Sequence, residues 1–207
     1  MHELRAAILA GAFPPGGRLI ESDIAEQMGV SRAPVREAIR ALQQEGLVEI
    51  FPHRGAVVVG VSEEELERIY ELRALIEQIA FARACETIQP EQLEELAGLI
   101  EAMRRQVADA AIDDLIESDI AFHRLIVRAS GYRIFARLWE SLDGLTRVRT
   151  LQSLTFPAGE EFFLARSAET HAALYEAVKA GDAELARQLV GEHILAVADR
   201  VRELRAA

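Results

Sequence analysis

The sequence predicts a mainly α-helical protein in two parts: a winged helix-turn-helix over residues 1–61 and an all-helical bundle of six helices over 62–207. Three observations predict this. Val30-Ser31-Arg32-Ala33-Pro34-Val35-Arg36-Glu37-Ala38-Ile39-Arg40 reads as a helix starting at a serine, with an arginine at every fourth position. Two β-type runs follow closely, joined by Pro52-His53-Arg54-Gly55. Beyond Val61 the apolar pattern is helical to the end, with no alternating stretch and no internal repeat.

Taken in order, Leu4 to Leu9 is a short helical pattern ending at Gly11. Phe13-Pro14-Pro15-Gly16-Gly17-Arg18-Leu19 is expected to be an irregular turn, because its prolines and glycines oppose regular structure. Ser22 is placed to cap a second short helix, Asp23 to Met28, with Gly29 as its stop. Ser31 caps the arginine helix, and the two helices around Gly29-Val30-Ser31 make a helix-turn-helix. Val48-Glu49-Ile50-Phe51 and Ala56-Val57-Val58-Val59 then form a hairpin, in the position of a wing.

Spacing places Arg32, Arg36 and Arg40 on one side of the helix, beside an apolar stripe of Val35, Ile39 and Leu42. Such a helix suits a DNA major groove, with Ser31 at its start able to donate to a phosphate. Arg54 and Gly55 at the wing tip suit close approach to phosphate or minor groove. The alternative is a solvated face with Glu37 and Glu45 as partners; turn, caps and wing in the right order argue against it. Arg40 is the arginine best placed for an internal ion pair. Net charge is -11, which excludes binding to nucleic acid through bulk charge. The first 60 residues hold six arginines and seven carboxylates, so the acidic surplus belongs to the second part. DNA contact must therefore rest on local placement of arginines.

Ser62 and Glu65 form a capping box that opens the bundle. Six helices are expected at about 63–86, 90–107, 111–130, 132–151, 159–180 and 182–204, punctuated by Pro90, Gly131, Pro157-Ala158-Gly159 and Gly181-Asp182. The single cysteine, Cys85, falls in an apolar helical stretch and reads as a buried thiol. With no disulfide framework, no signal-like start and no apolar run long enough for a bilayer, a cytoplasmic, non-membrane protein is expected.

Of five histidines, His2 and His53 lie in the first part, and the other three on inward stripes of the bundle. His123 accompanies Ile116, Asp119, Ile120, Ile126 and Val127; His171 accompanies Leu164, Ala168, Tyr175 and Val178; His193 accompanies Leu189, Ala196 and Val197. Asp119 lies one turn before His123 and points the same way. Singly, each histidine reads as a hydrogen-bonded core residue, and Asp119–His123 as an i,i+4 pair. Together they supply three nitrogens and one oxygen from three helices, a set suited to Zn²⁺, Ni²⁺, Mn²⁺ or Fe²⁺, with zinc first among them.

Both halves resemble the GntR superfamily of bacterial transcription regulators, in the FadR-type branch with an FCD effector domain. In the first half the resemblance rests on Gly11 to Glu21, Ile24-Ala25-Glu26 and Gly29 to Ala38. In the second it rests on Asp119 to Ile126, His171 to Ala177, Gly181 to Ala186 and His193-Ile194. The resemblance implies operator contacts by Arg32 and Arg36 and groove contact by the wing near Arg54-Gly55. It also implies a metal held by Asp119, His123, His171 and His193. Six helices look more like the shorter, VanR-like version than the seven-helix FadR form. The chain departs from the family where Gly131-Tyr132 replaces Gly-Asn, at a place implied to touch effector, and in a short start before Leu4.

The reading is a metabolite-responsive regulator, not an enzyme, acting as a homodimer on a short inverted repeat of double-stranded DNA. The metal would leave positions for a small carboxylate or hydroxy acid, with Arg73, Tyr132 and Arg149 as candidate effector contacts. For Arg73 and Arg149 an intramolecular or surface salt bridge is the competing role. Other readings are a structural or metal-sensing site without organic effector, a helical domain serving dimerisation alone, and a metalloenzyme using the set to activate water.

Overall fold

In the computed structural model, residues 2–9, 12–14, 16–44, 46–59, 63–142 and 157–206 are described, and they fall into two compact units. The first runs to Leu66 and the second starts at Glu67. The capping serine Ser62, the stop at Gly11 and Arg149 lie outside the described residues.

The first unit contains α1 (His2–Leu9), β1 (Arg18–Leu19), α2 (Glu21–Gln27), α3 (Arg32–Gln44), β2 (Val48–Phe51) and β3 (Gly55–Val58). Its core is Leu4 and Ile8 from α1, Ile24 from α2, Val35, Ile39 and Leu42 from α3, with Leu47, Val48 and Val58 from the sheet region. Burying each such aliphatic side chain contributes about 1.5–3 kcal/mol. The α3 pattern matches its spacing: Val35, Ala38, Ile39 and Leu42 are buried, while Arg32, Arg36 and Arg40 are exposed.

Gly29 ends α2 at φ +64°, a backbone that favours glycine. Its N–H donates to the Glu26 carbonyl at 3.2 Å and that of Val30 to Ala25 at 3.0 Å, the two bonds of a Schellman close. This close reverses the chain into α3 within a few residues. The start of α2 departs from expectation. Ile20, in extended conformation, occupies the cap position, and its carbonyl accepts the N–H groups of Asp23 and Ile24. Ser22 lies inside the first turn, its hydroxyl bonded to Asp23, and the carboxylates of Glu21 and Asp23 suit the positive helix end.

The turn around the prolines is also corrected. Arg18 and Leu19 form a short strand pairing antiparallel with Val57 and Ala56, giving a three-stranded sheet in the order β1-β3-β2. Pro14 and Gly16-Gly17 turn the chain, the Gly16 N–H donating to the Val58 carbonyl and the Val58 N–H to the Gly17 carbonyl. The wing turn closes with the Arg54 N–H on the Phe51 carbonyl at 3.3 Å, with Pro52 second in the turn and His53 left-handed at φ +64°. Gly55 follows at φ +82°.

The second unit is helical: α4 (Glu63–Thr87), α5 (Pro90–Ala108), α6 (Ile112–Ala129), α7 (133–142 among the described residues), α8 (Pro157–Lys179) and α9 (Ala183–Ala206). The first four residues of α4 precede the division between units. Pro90 opens α5, where its missing N–H costs no hydrogen bond. Asp182 caps α9 by accepting the Leu185 N–H at 3.0 Å. Pro157-Ala158-Gly159 stands at a helix start, just ahead of the expected 159: Pro157 is the first residue of α8, where a fixed φ suits a helix start. α5 packs on α6 and α8, and α8 on α9. Phe81, Leu96, Met103, Phe122, Ile126, Trp139, Leu174 and Val190 fill the bundle. Among the described residues no helix is long and apolar enough to cross a membrane.

Candidate metal centre and nucleic-acid interface

Three helices bring four donors to one place. α6 supplies Asp119 and His123 one turn apart, α8 supplies His171 and α9 supplies His193; their ligand atoms lie within 4.8 Å of one another. Bonds of about 2.1 Å to a common ion put ligands at most about 4 Å apart, close to this spread. His123 Nε2 and His171 Nε2 are 3.2 Å apart, and Asp119 Oδ1 is 3.1 Å from His171 Nε2.

The outer atoms fix the tautomers. His171 Nδ1 lies 2.6 Å from the Ser167 carbonyl, which can only accept, so Nδ1 carries the proton and donates. His123 Nδ1 lies 2.5 Å from Glu77 Oε2 and donates to that carboxylate. Both rings therefore turn Nε2 inward, beside the Asp119 carboxylate. Two Nε2 atoms and a carboxylate converge there, and a shared positive charge suits such a cluster. A divalent transition metal fits this donor set, and the outer partners are the kind that orient metal-bound histidines.

Glu77 is fully buried on α4. Besides His123 it accepts from Arg73 Nε at 2.6 Å and Trp139 Nε1 at 2.7 Å, both on Oε1. Burial alone would push its carboxyl up; His123 and Arg73 outweigh it and hold the group at about 2. Asp119 is likewise held well below the usual carboxylate range, with burial opposed by the neighbouring His171, then by His123 and His193. His193, stacked on His123 at 5.2 Å, is pushed well below 6.5 by burial and by the neighbouring His171 and His123. The centre is sealed on one side and open on the other: His123 and His171 are inaccessible, while the Asp119 side chain is 17% exposed and His193 is half-buried.

These shifts share one sign. Below pH 6.5 His193 takes up a proton in the unfolded chain before it does in the folded one, so its contribution to stability falls with pH. Glu77 stabilises the fold above pH 4.5 and loses that contribution as pH falls toward 2. Metal-free protein is therefore expected to melt progressively lower from pH 6.5 downward, with a steeper fall below 4.5, measured by calorimetry in chelator.

Glu77, Trp139 and Ser167 escaped the sequence reading. The available signal was an acidic residue on the buried stripe Tyr70, Ala74, Phe81, one turn after Arg73. Arg73 is buried, ion-paired with Glu77 and stacked over Trp139 at 5.4 Å, so it takes the intramolecular role. Tyr132 is exposed with its ring against Phe135 at 5.2 Å.

On the first unit, Ser31, Arg32, Arg36, Arg40, Arg54 and Gly55 are all exposed. Arg36 forms a two-pronged pair with Glu21, Nε to Oε1 at 3.0 Å and Nη2 to Oε2 at 2.7 Å. Arg40 pairs with Glu37 at 3.0 Å, and Arg54 lies over the Phe51 ring at 5.8 Å. Arg36, Arg40, Arg54 and Gly55 line a cleft of about 390 Å³ between α3 and the sheet. Arg18 lines it too, on the strand that had been expected as irregular turn.

Comparison with known proteins decides the family. Residues 1–58 match the family of bacterial regulatory proteins, gntR family, and residues 68–196 match the FCD domain. The chain belongs to the GntR family, in its FCD-domain branch. Among GntR relatives, it is similar to the gluconate operon transcriptional repressor of Bacillus subtilis, 29% identical over 98% of this chain and 84% of that protein. A probable D-xylose utilization operon transcriptional repressor of Paenarthrobacter nicotinovorans is 32% identical over 91% of this chain and 81% of its own. The solved structure of E. coli McbR/YncC superposes with a TM-score of 0.70 at 27% identity, covering 98% of this chain and 94% of that one. The GntR family and these relatives are transcription regulators, so the chain is a DNA-binding regulator and the metalloenzyme reading is set aside.

Proposed function

We propose that this regulator works as a homodimer in the cytoplasm, reading a short inverted repeat through residues 1–61 and a small carboxylate or hydroxy acid through residues 62–207. On the DNA side, Arg32 and Arg36 read bases or clamp phosphates, Ser31 meets a phosphate at the helix start, and Arg40, Arg54 and Gly55 flank them. Their exposure on one helix and one wing tip supports the assignment. An apolar stripe on α4, with Leu72, Leu75 and Ile79 exposed at helical spacing, supports pairing with a second copy.

The single observation that carries the effector reading is the convergence of two Nε2 atoms and the Asp119 carboxylate on a centre open at one side. Asp119, His123, His171 and His193 would hold a divalent transition metal, zinc before nickel, manganese or iron. Once bound, such an ion supplies a positive, Lewis-acidic anchor for an acid's oxygens. Ser167 and Glu77 keep the imidazoles turned toward it. One relative is named for gluconate, a polyhydroxy carboxylate, which agrees with the acid class. Arg149 and Tyr132 stay candidates for the rest of the grip; Arg73 contributes through Glu77. An acid alters operator affinity only as far as it binds the DNA-competent and incompetent forms unequally.

The test is thermal stability against a panel of small carboxylates and hydroxy acids, with and without prior chelation. A specific ligand at a hundred times its Kd stabilises the fold by about 2.7 kcal/mol. A rise in Tm with one acid that chelation abolishes is the expected result. Bound metal with no response to any acid overturns the effector reading in favour of a structural or metal-sensing centre.

A further inference from the structure

Glu21 is the one carboxylate lining a cleft otherwise bounded by apolar residues and four arginines, Arg18, Arg36, Arg40 and Arg54. On a face meant for phosphate, such a charge weakens general attraction to DNA. It stays ionised: its bond to Arg36 outweighs burial and holds its carboxyl below the usual range, with Arg32 and Arg40 adding to the effect. Its backbone is fixed, since Leu19 is paired into the sheet and the Ile20 carbonyl takes the first two bonds of α2. The side chain then spans fifteen residues of sequence to reach α3.

The geometry of the pair is specific. Glu21 takes the Nε–Nη2 edge of Arg36, with Nε also 3.2 Å from Oε2, and makes no bond to Nη1. A guanidinium gripped along one edge keeps its plane and leaves its Nη1–Nη2 end for a second two-pronged partner. Guanine, with O6 and N7 side by side in the major groove, is such a partner. Without the grip, a long exposed side chain would have to be ordered on binding and would pair with phosphates as readily as with bases.

We propose that Glu21 is a positioning residue for sequence reading: it holds Arg36 so that its free end meets one guanine, exchanging general affinity for discrimination at that base pair. The proposal rests on the assignment of α3 to the major groove.

The experiment uses the full-length protein. Duplexes enriched from a randomised pool by the wild type give an operator, and each base pair is then changed in turn. Binding is compared for wild type, Glu21→Gln, Arg36→Ala and the double variant. Arg36→Ala should lose discrimination at one symmetry-related pair of G·C positions. Glu21→Gln should lose at least tenfold discrimination at those same positions, retain it elsewhere, and bind unrelated duplex as tightly as wild type or tighter. The double variant should discriminate no worse than Arg36→Ala. An even change across all duplexes, in either direction, or unaltered discrimination in Glu21→Gln overturns the proposal. If Arg36→Ala itself shifts every duplex equally, the assignment of Arg36 to a base fails and the proposal falls with it. Retained binding to unrelated duplex separates each result from misfolding.

Discussion

His123→Ala is expected to empty the metal centre and to cost about 1–3 kcal/mol of stability, the penalty for leaving a buried acceptor without its donor. The variant removes two things at once. It deletes an imidazole whose Nε2 faces His171 and Asp119, so the donor set falls from four to three. It also leaves Glu77 without one of its three donors in a place with no access to water. Arg73 Nε and Trp139 Nε1 bond the other carboxylate oxygen, so Oε2 loses the donor that His123 supplies. Metal analysis of purified protein should fall from about one ion per chain to none, and chemical denaturation should show the loss even in chelator. A variant that keeps its metal, or melts like the chelated wild type, would remove His123 from the ligand set or Glu77 from its supporting role.

The second large effect is on DNA. Arg36→Ala is expected to weaken operator binding roughly 5- to 150-fold, the range for losing a two-pronged base contact. The loss should have two parts. One is confined to the base pair that Arg36 reads. The other is spread over every sequence, because Glu21 loses its partner and turns an uncompensated charge toward phosphate. A salt titration by fluorescence anisotropy, run on operator and on unrelated duplex, separates the two. A change of less than twofold on operator would take Arg36 off the contact list.

Most of the architecture was legible because each element carried its own signal. The α3 stripe, Gly29, Pro90, Gly131 and Gly181 marked helix faces and ends through local stereochemistry that tertiary contacts did not override. The failures were of one kind. Arg18–Leu19 became a strand, and Ser22 lost its cap to Ile20, because a partner far along the chain, β3, drew the backbone straight. Two residues paired to a distant strand leave no periodicity to read.

The candidate metal site divides in the same way. Asp119, His123, His171 and His193 were visible as polar residues on apolar stripes, with one-turn spacing joining the first two. Their outer partners were not. Glu77 sits 46 residues from His123, and Trp139 sits 62 residues from Glu77. Neither separation has a sequence signature, and an arginine one turn from a glutamate reads as an ordinary surface pair. For Arg73 the sequence leaves an effector contact and an intramolecular salt bridge both open, and the buried pair with Glu77 answers to the second.

The fan of bonds around Glu77 gives the bundle a mechanical property. α6, α8 and α9 supply the four donors, and through one carboxylate α4 and α7 are tied to the same spot. Among the described residues, α4, α6, α7, α8 and α9 thus meet at a single joint. Such a joint converts a chemical event a few ångströms across into a change of stiffness along five rods, each far longer than the centre itself. Loading or unloading that centre would tune the whole bundle as one body, much as tightening a hub trues every spoke of a wheel.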